Sequence, residues 1–255
     1  MSLSKNKIKY LNSFLLKKNR DKEQVFVAEG IKLVGDLLPY FQAKVIVGTS
    51  DWFANNKPNA EELIEIEDLS EMKKITQLSS PTPVFALFYK QVSVIKYESL
   101  LDKKALILVL DSIQDPGNMG TIIRIADWFG IRNIVCSHST VDIYNSKTVQ
   151  ATMGALARVN VSYTDLEEFL MLCKMKEFPI YGTFLDGDSI YDSELSDYGV
   201  VIMGNEGKGV SDSVANFVTN KLLIPNYPVN EITSESLNVA VATAIVCSEF
   251  RRRVR

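Results

Sequence analysis

The stretch ALILVLDSIQDPGNMGTIIRIADWFG, residues 105–130, decides the fold. Its first seven residues form a short apolar run, the pattern of a strand covered on both faces. A turn with Asp115, Pro116, Gly117, Asn118 and Gly120 follows, and residues 118–129 then read as a helix that carries Arg124. Strand, glycine-bearing turn and helix make the start of a βα unit. Three uses fit such a turn: a nucleotide cradle, an anion clamp or a plain reversal of the chain.

Downstream the alternation continues. Strands are expected at NIVCS (133–137), PIYGTFLD (179–186), GVVIMG (199–204) and KLLIPN (221–226). Helices are expected around 146–157, over DLEEFLMLCKMKEF (165–178), near 211–218, and over SESLNVAVATAIVCSEFRRR (234–253). Apolar runs between amphipathic helices predict an α/β domain, a parallel sheet with helices on both faces. Upstream, helical patterns (KIKYLNSFLLKK, IKLVGDLLPYF) mix with strand runs (VFVAEG, KVIVGT, PTPVFALFYK), which predicts a small α/β domain over 1–92. The polar QVSVIKYESLLDKK supplies a linker at 93–104, and 105–255 form the larger domain. There is no internal repeat and no low-complexity tract.

Bulk properties narrow the function. No apolar run approaches the roughly 20 residues of a membrane helix, and MSLSKNKIKYLNSF has no apolar core of a secretory signal. A cytoplasmic protein without a membrane partner is expected. Cys136, Cys173 and Cys247 stand singly in apolar patterns, which predicts buried free thiols and neither zinc nor disulfides. A net charge of −3 argues against a wholly basic surface. The opening segment is nevertheless rich in Lys and Arg, residues 61–71 are acidic, and Arg251, Arg252, Arg253 and Arg255 make the end basic again. A local polyanion contact and solvated helix faces both explain such runs.

Ligand sites of open α/β sheets form where strands end. Three strand ends are polar and rich in Gly, Asn, Glu and Ser: DSIQDPGNMG, GNEGKGVS and PNYPVNEITSESLN. Neither GxxxxGK[ST] nor GxGxxG is present, so the familiar phosphate and dinucleotide cradles are excluded.

As a set, the three stretches are specific. NxGxxxR at 118–124 resembles motif 1 of the SpoU (TrmH) family of RNA ribose 2′-O-methyltransferases, in the SPOUT superfamily. VIMGNEGKGVS resembles its motif 2 and LLIPN…SLNVAVA its motif 3, in the family's order and spacing over roughly 104–253. The N-terminal part is similar to the family's small substrate-binding domain, with a basic first helix and FVAEG.

The resemblance implies a deep trefoil knot at the C-terminus, a homodimer, S-adenosylmethionine as cosubstrate without a metal, and structured RNA as substrate, with 23S rRNA preferred. A knotted RNA-binding or ribosome-assembly factor without turnover and a tRNA ribose methyltransferase are the alternatives. Methyl transfer to a ribose hydroxyl needs positioning, a charge partner and a dry pocket. Arg124 matches the motif 1 arginine. It either takes the proton or, as a guanidinium that stays protonated, steadies the alkoxide and flanking phosphate; a surface or ion-paired arginine is the plain alternative. Asn118 fixes the loop, holds the arginine or caps the helix. Glu206 orders the knot loops and binds the partner's arginine, or is a solvated carboxylate. Ser236 and Asn238 orient the acceptor ribose or cap the last helix.

For the cosubstrate the resemblance implies Thr183, Phe184, Met203, Gly204, Asn205, Gly209, Ile224, Pro225, Ser236 and Leu237, largely through backbone groups. For RNA it implies Lys7, Lys17, Lys18, Arg20 and Lys147, with Tyr144 beside them. Departures exist: Ala240 stands where the family often has serine, the segment from Pro225 to Ser236 is longer, and Ser146 and Gln150 replace a common proline and arginine. His138 is expected to be a loop residue.

Overall fold

The computed structural model describes residues 2–91, 96–228 and 234–253. The chain divides into two compact units, Met1–Val92 with Asp142–Ala157, and Ser93–Val141 with Arg158–Arg255. Residues 93–95 of the expected linker, residues 229–233 of the long segment before Ser236, and Arg255 lie outside the described residues.

In the first unit, β1 (Val25–Glu29), β2 (Ala43–Thr49), β3 (Ala60–Ile66) and β4 (Val84–Tyr89) form a sheet of order β1-β4-β2-β3. β4 is antiparallel to β1 and β2, and β2 is parallel to β3. Its core includes Leu11, Phe14, Val27, Val47, Phe85 and Leu87. β3 was not among the expected strands. Its sequence, AEELIEI, exposes Glu61, Glu62 and Glu65, and its ladder to β2 makes it an edge strand. Half of the acidic run, Glu61, Glu62 and Glu65, therefore lies on a sheet edge, a place that charged side chains keep from pairing further.

The helix expected over 7–18 is two helices, Lys5–Ser13 and Lys17–Glu23. Phe14, 1% exposed, turns into the core and ends the first. Arg20 then donates to the freed carbonyls of Phe14 and Leu15 at 3.0 and 2.9 Å and to Asp142 Oδ2 at 2.8 Å. Arg20 is 3% exposed. It is an internal brace, and its expected role as a surface contact for RNA is corrected on that ground.

The second unit holds β5 (Leu106–Leu110), β6 (Asn133–Ser137), β7 (Asn160–Thr164), β8 (Ile180–Ser189), β9 (Gly199–Met203) and β10 (Asn220–Leu223). All pair in parallel in the order β10-β8-β9-β5-β6-β7. The expected parallel α/β architecture is present, with one more strand than the sequence patterns gave, because NVSYT (β7) is a polar edge strand. Every residue of β5 and β9 is buried, as their apolar runs require.

Helix boundaries differ where local chemistry decides them. The helix after β5 spans Pro116–Trp128, since proline suits the first turn and Asp115 Oδ1 accepts the Asn118 N–H at 2.7 Å. The expected helix at 146–157 is Ser146–Thr152 plus a 3-10 turn Ala155–Ala157, interrupted at Met153 and Gly154 with φ of 50° and 88°. This segment packs on β1 within the first unit. The last helix is Val239–Arg253.

The basic C-terminus serves the fold. Arg251 donates to the Phe129 carbonyl at 2.8 Å, and Arg253 to those of Ile190 and Tyr191 at 3.0 and 2.8 Å. The Arg252 guanidinium, with Arg253 adding to it against the effect of burial, holds the Glu249 carboxyl down at about 2. The three cysteines are buried free thiols. None of the described helices is long and apolar enough to cross a membrane.

Candidate active site

The chain winds outward from β5 to β7 and then resumes on the other side of β5, at β8 and β9. β5 and β9 are thus neighbours that start opposite directions of winding, and the loops beyond their C-terminal ends meet there.

The loop Gly204–Ser211 folds on itself and is tied to the turn after β5. Asn205 and Gly209 exchange both backbone hydrogen bonds, at 2.8 and 2.9 Å. Asn205 Oδ1 accepts the amides of Gly207 and Lys208, each at 3.0 Å, and its Nδ2 donates to the Ser112 carbonyl at 2.7 Å. At the other end, Asp111, 4% exposed, accepts the Ser211 amide at 2.8 Å. Gly204 is required by space, for a Cβ there would lie 2.3 Å from both Gly209 C and Val210 N. The close approach it permits is to the chain's own backbone.

Three motif residues meet beside this loop. The Asn118 amide donates to Glu206 Oε1 at 3.0 Å, and Asn238 Nδ2 donates to Asn118 Oδ1 at 2.9 Å. Glu206 also accepts the backbone amides of Gln114 and Asp115 at 3.2 and 3.1 Å. Burial alone raises the Glu206 carboxyl, but the hydrogen bonds from Asn118 and these amides outweigh it and hold it below the usual range. Asn238 Oδ1 accepts the amides of Ala240 and Val241 at 3.0 and 3.3 Å, so the residue is also the cap of the last helix.

Arg124 does not join them. It is exposed and makes no side-chain hydrogen bond or ion pair among the described residues. Six residues from Asn118 place it about 120° away around the helix. Within this chain Asn118 holds Glu206 and Asn238, not the arginine.

Next to Glu206 lies a cavity of about 360 Å³. Thr183, Phe184, Met203, Gly204, Asn205, Gly209, Ile224, Ser236 and Leu237 line it; of the expected set, Pro225 does not. Its size falls in the range of roughly 300–1,000 Å³ usual for small-molecule sites. Aliphatic walls with a few polar groups and a backbone loop suit a nucleoside bearing a charged tail. Sequence reasoning missed Leu222, Val239 and Ala242 on its wall. Val239 and Ala242 stand three residues apart at the start of the last helix, so one face of that helix, which the motif alone does not mark, lines the cavity.

The cations assigned to RNA are scattered. Lys7 is paired with Glu62 and Lys17 with Asp21, whereas Lys18 and Lys147 are exposed. Tyr144 stacks on Phe26 with ring centroids 5.0 Å apart, and burial pushes its hydroxyl up to about 12. His138 lies in an exposed turn.

Residues 105–248 match the SpoU rRNA methylase family, and residues 5–86 match the MRM3-like substrate binding domain. RlmP of Bacillus subtilis, a 23S rRNA (guanosine(2553)-2′-O)-methyltransferase, is 30% identical over 255 residues, covering 98% of each chain. The structure of a TrmH-family protein from Porphyromonas gingivalis is 39% identical, with a TM-score of 0.87 over 99% of this chain and 100% of that one. An rRNA methyltransferase of Sinorhizobium meliloti, solved with AdoMet bound, is 28% identical, with a TM-score of 0.85 over 100% and 97%. The chain belongs to the SpoU rRNA methylase family of ribose 2′-O-methyltransferases and carries an MRM3-like substrate binding domain ahead of its methyltransferase domain.

Proposed function

We propose that the protein methylates the ribose 2′-hydroxyl of a guanosine in 23S rRNA, with S-adenosylmethionine as donor, in the cytoplasm. The observation that carries this reading is the junction of Asn118, Glu206 and Asn238 beside the cavity, where residues from three motifs meet. The RlmP relative, similar over nearly its whole length, supports 23S rRNA and guanosine as the target.

S-adenosylmethionine, when bound, supplies an activated methyl group on a positively charged sulfur. The chain's residues supply the rest. The loop Gly204–Ser211, Ile224 and Leu237 hold the donor and keep water from it. Asn118 and Glu206 fix the turn after β5, and Ser236 orients the acceptor ribose.

Arg124 works in the site of a second copy, in a homodimer. Its exposure, and the closure of Asn118 and Glu206 on each other, support this placement. A guanidinium next to the 2′-oxygen stabilises the charge that develops as the hydroxyl loses its proton. A C-terminal trefoil knot belongs to the same reading, and so do residues 1–92 as the part that presents RNA.

The test is ribose-methylation mapping of 23S rRNA from cells with and without the gene, with purified protein and tritiated cosubstrate added back. One guanosine that loses its mark and regains it supports the reading. An unchanged map and no incorporated label reject it.

A further inference from the structure

A second cavity, of about 280 Å³, lies wholly within the first unit, between β1 and the helix Ser146–Thr152. Gln77 lines it. Its backbone N–H is taken by Glu29 Oε1 at 2.8 Å, but its side-chain Nε2 and Oε1 are both buried without a partner. Buried polar groups are almost always paired. An amide unpaired at both ends, beside a cavity, is a donor and an acceptor ready for a matching edge.

The surroundings narrow what that edge belongs to. Glu29, 3% exposed, accepts the Thr76 hydroxyl and the Gln77 amide, so the floor is fixed in place. Val27, Leu78 and Ala151 give apolar walls, and Gln150 brings a second amide. Lys147 is exposed, and its ammonium has no partner among the described residues. Apolar walls, two amides that each offer a donor and an acceptor, and a cation beside them suit a base with its phosphate. A duplex does not fit such a volume, and sequence-reading of RNA favours unpaired bases splayed from the strand.

We propose that this cavity receives the base of one unpaired rRNA nucleotide, read by Gln77 and Gln150, with Lys147 at its phosphate. The proposal rests on the rRNA-methyltransferase reading above. Gln77 reaches the base by turning about its last side-chain torsion, which is soft. Lys147 meets the phosphate as a point charge that fixes register and carries no sequence information.

The experiment compares the full-length protein with Gln77→Leu and Lys147→Ala. Binding of a 23S rRNA transcript that contains the methylated site is measured at fixed salt, together with S-adenosylhomocysteine affinity and melting temperature. Each variant is expected to bind the transcript about tenfold more weakly, with cosubstrate-product affinity within about twofold and melting unchanged. Leucine keeps most of the side-chain volume and removes only the unpaired amide, so melting should not fall. A lower melting temperature with RNA affinity unchanged would mark Gln77 as purely structural, and that result overturns the proposal. Ultraviolet cross-linking of the wild type should join one nucleotide to a peptide that contains Gln77 or Lys147. Wild-type RNA affinity retained in both variants, or cross-links spread over many nucleotides, also overturns it. Wild-type protein that binds and cross-links the transcript but transfers no methyl defeats the methyltransferase reading alone, because neither measurement needs turnover.

Discussion

Glu206 and Asn118, 88 residues apart, are joined by a 3.0 Å hydrogen bond from the amide to the carboxylate. Since this bond and two backbone amides hold the Glu206 carboxyl below its usual 4.5, its contribution to stability depends on pH. A depressed folded value means a contribution present above the unfolded value and lost as pH falls through the folded one. Glu206→Gln is expected to cost about 1–2 kcal/mol at pH 7 and to flatten the acid limb of the melting curve. Wild type and variant losing stability in parallel on acidification would refute the assignment.

Arg124→Ala should leave S-adenosylhomocysteine binding intact and lower methyl transfer by roughly 10²–10³, the usual effect of removing one charge-stabilising donor. Mixing Arg124→Ala with Asn118→Ala chains should restore part of the activity, because a mixed dimer keeps one site with both residues. No recovery on mixing would place Arg124 in its own chain's site.

Gly204→Ala has no space to occupy, with Gly209 and Val210 backbone 2.3 Å from the new methyl group. Overpacking of this kind costs about 1–3 kcal/mol. Here the displaced atoms belong to the cavity wall, so calorimetry should show cosubstrate-product binding lost along with stability. Binding at wild-type strength would show that the loop yields without cost.

Trp128 is 85% exposed and stands four residues after Arg124, on the same side of its helix. A large exposed indole there suits the proposed dimer contact. Trp128→Ser should change the stability of the folded chain by less than about 0.5 kcal/mol yet shift sedimentation from dimer toward monomer. A dimer unaffected by the change would move the interface elsewhere.

Arg20→Ala should cost about 3 kcal/mol, since it strips the Asp142 carboxylate of its partner and uncovers the carbonyls of Phe14 and Leu15. Chemical denaturation measures the loss. For protein that remains folded, RNA affinity should stay unchanged, the opposite of what a surface phosphate contact predicts.

Much of the fold was legible because β5 and β9 are buried on both faces and therefore read as unbroken apolar runs. The polar edge strands β3 and β7 were not, since AEELIEI and NVSYT are held by ladders to β2 and β6 rather than by apolar periodicity. Arg20 read as one cation of a basic helix because nothing local reveals that Phe14 ends that helix and turns Arg20 inward. The cavity was legible through its motif loops. The ties that shape it, Asp111 to Ser211 and Asn118 to Asn238, span 100 and 120 residues, and no local pattern encodes them.

The link from Asn238 through Asn118 to Glu206 has a direction. Each amide must point its nitrogen one way and its oxygen the other, and the carboxylate, which only accepts, sets the sense for the whole line. Aspartate at 118 has the same shape as asparagine but would set two acceptors, both negative, against each other. Position 118 is therefore locked as an amide while 206 is acidic, and 206 is held as an acid in turn, because both of its oxygens also accept the backbone N–H groups of Gln114 and Asp115.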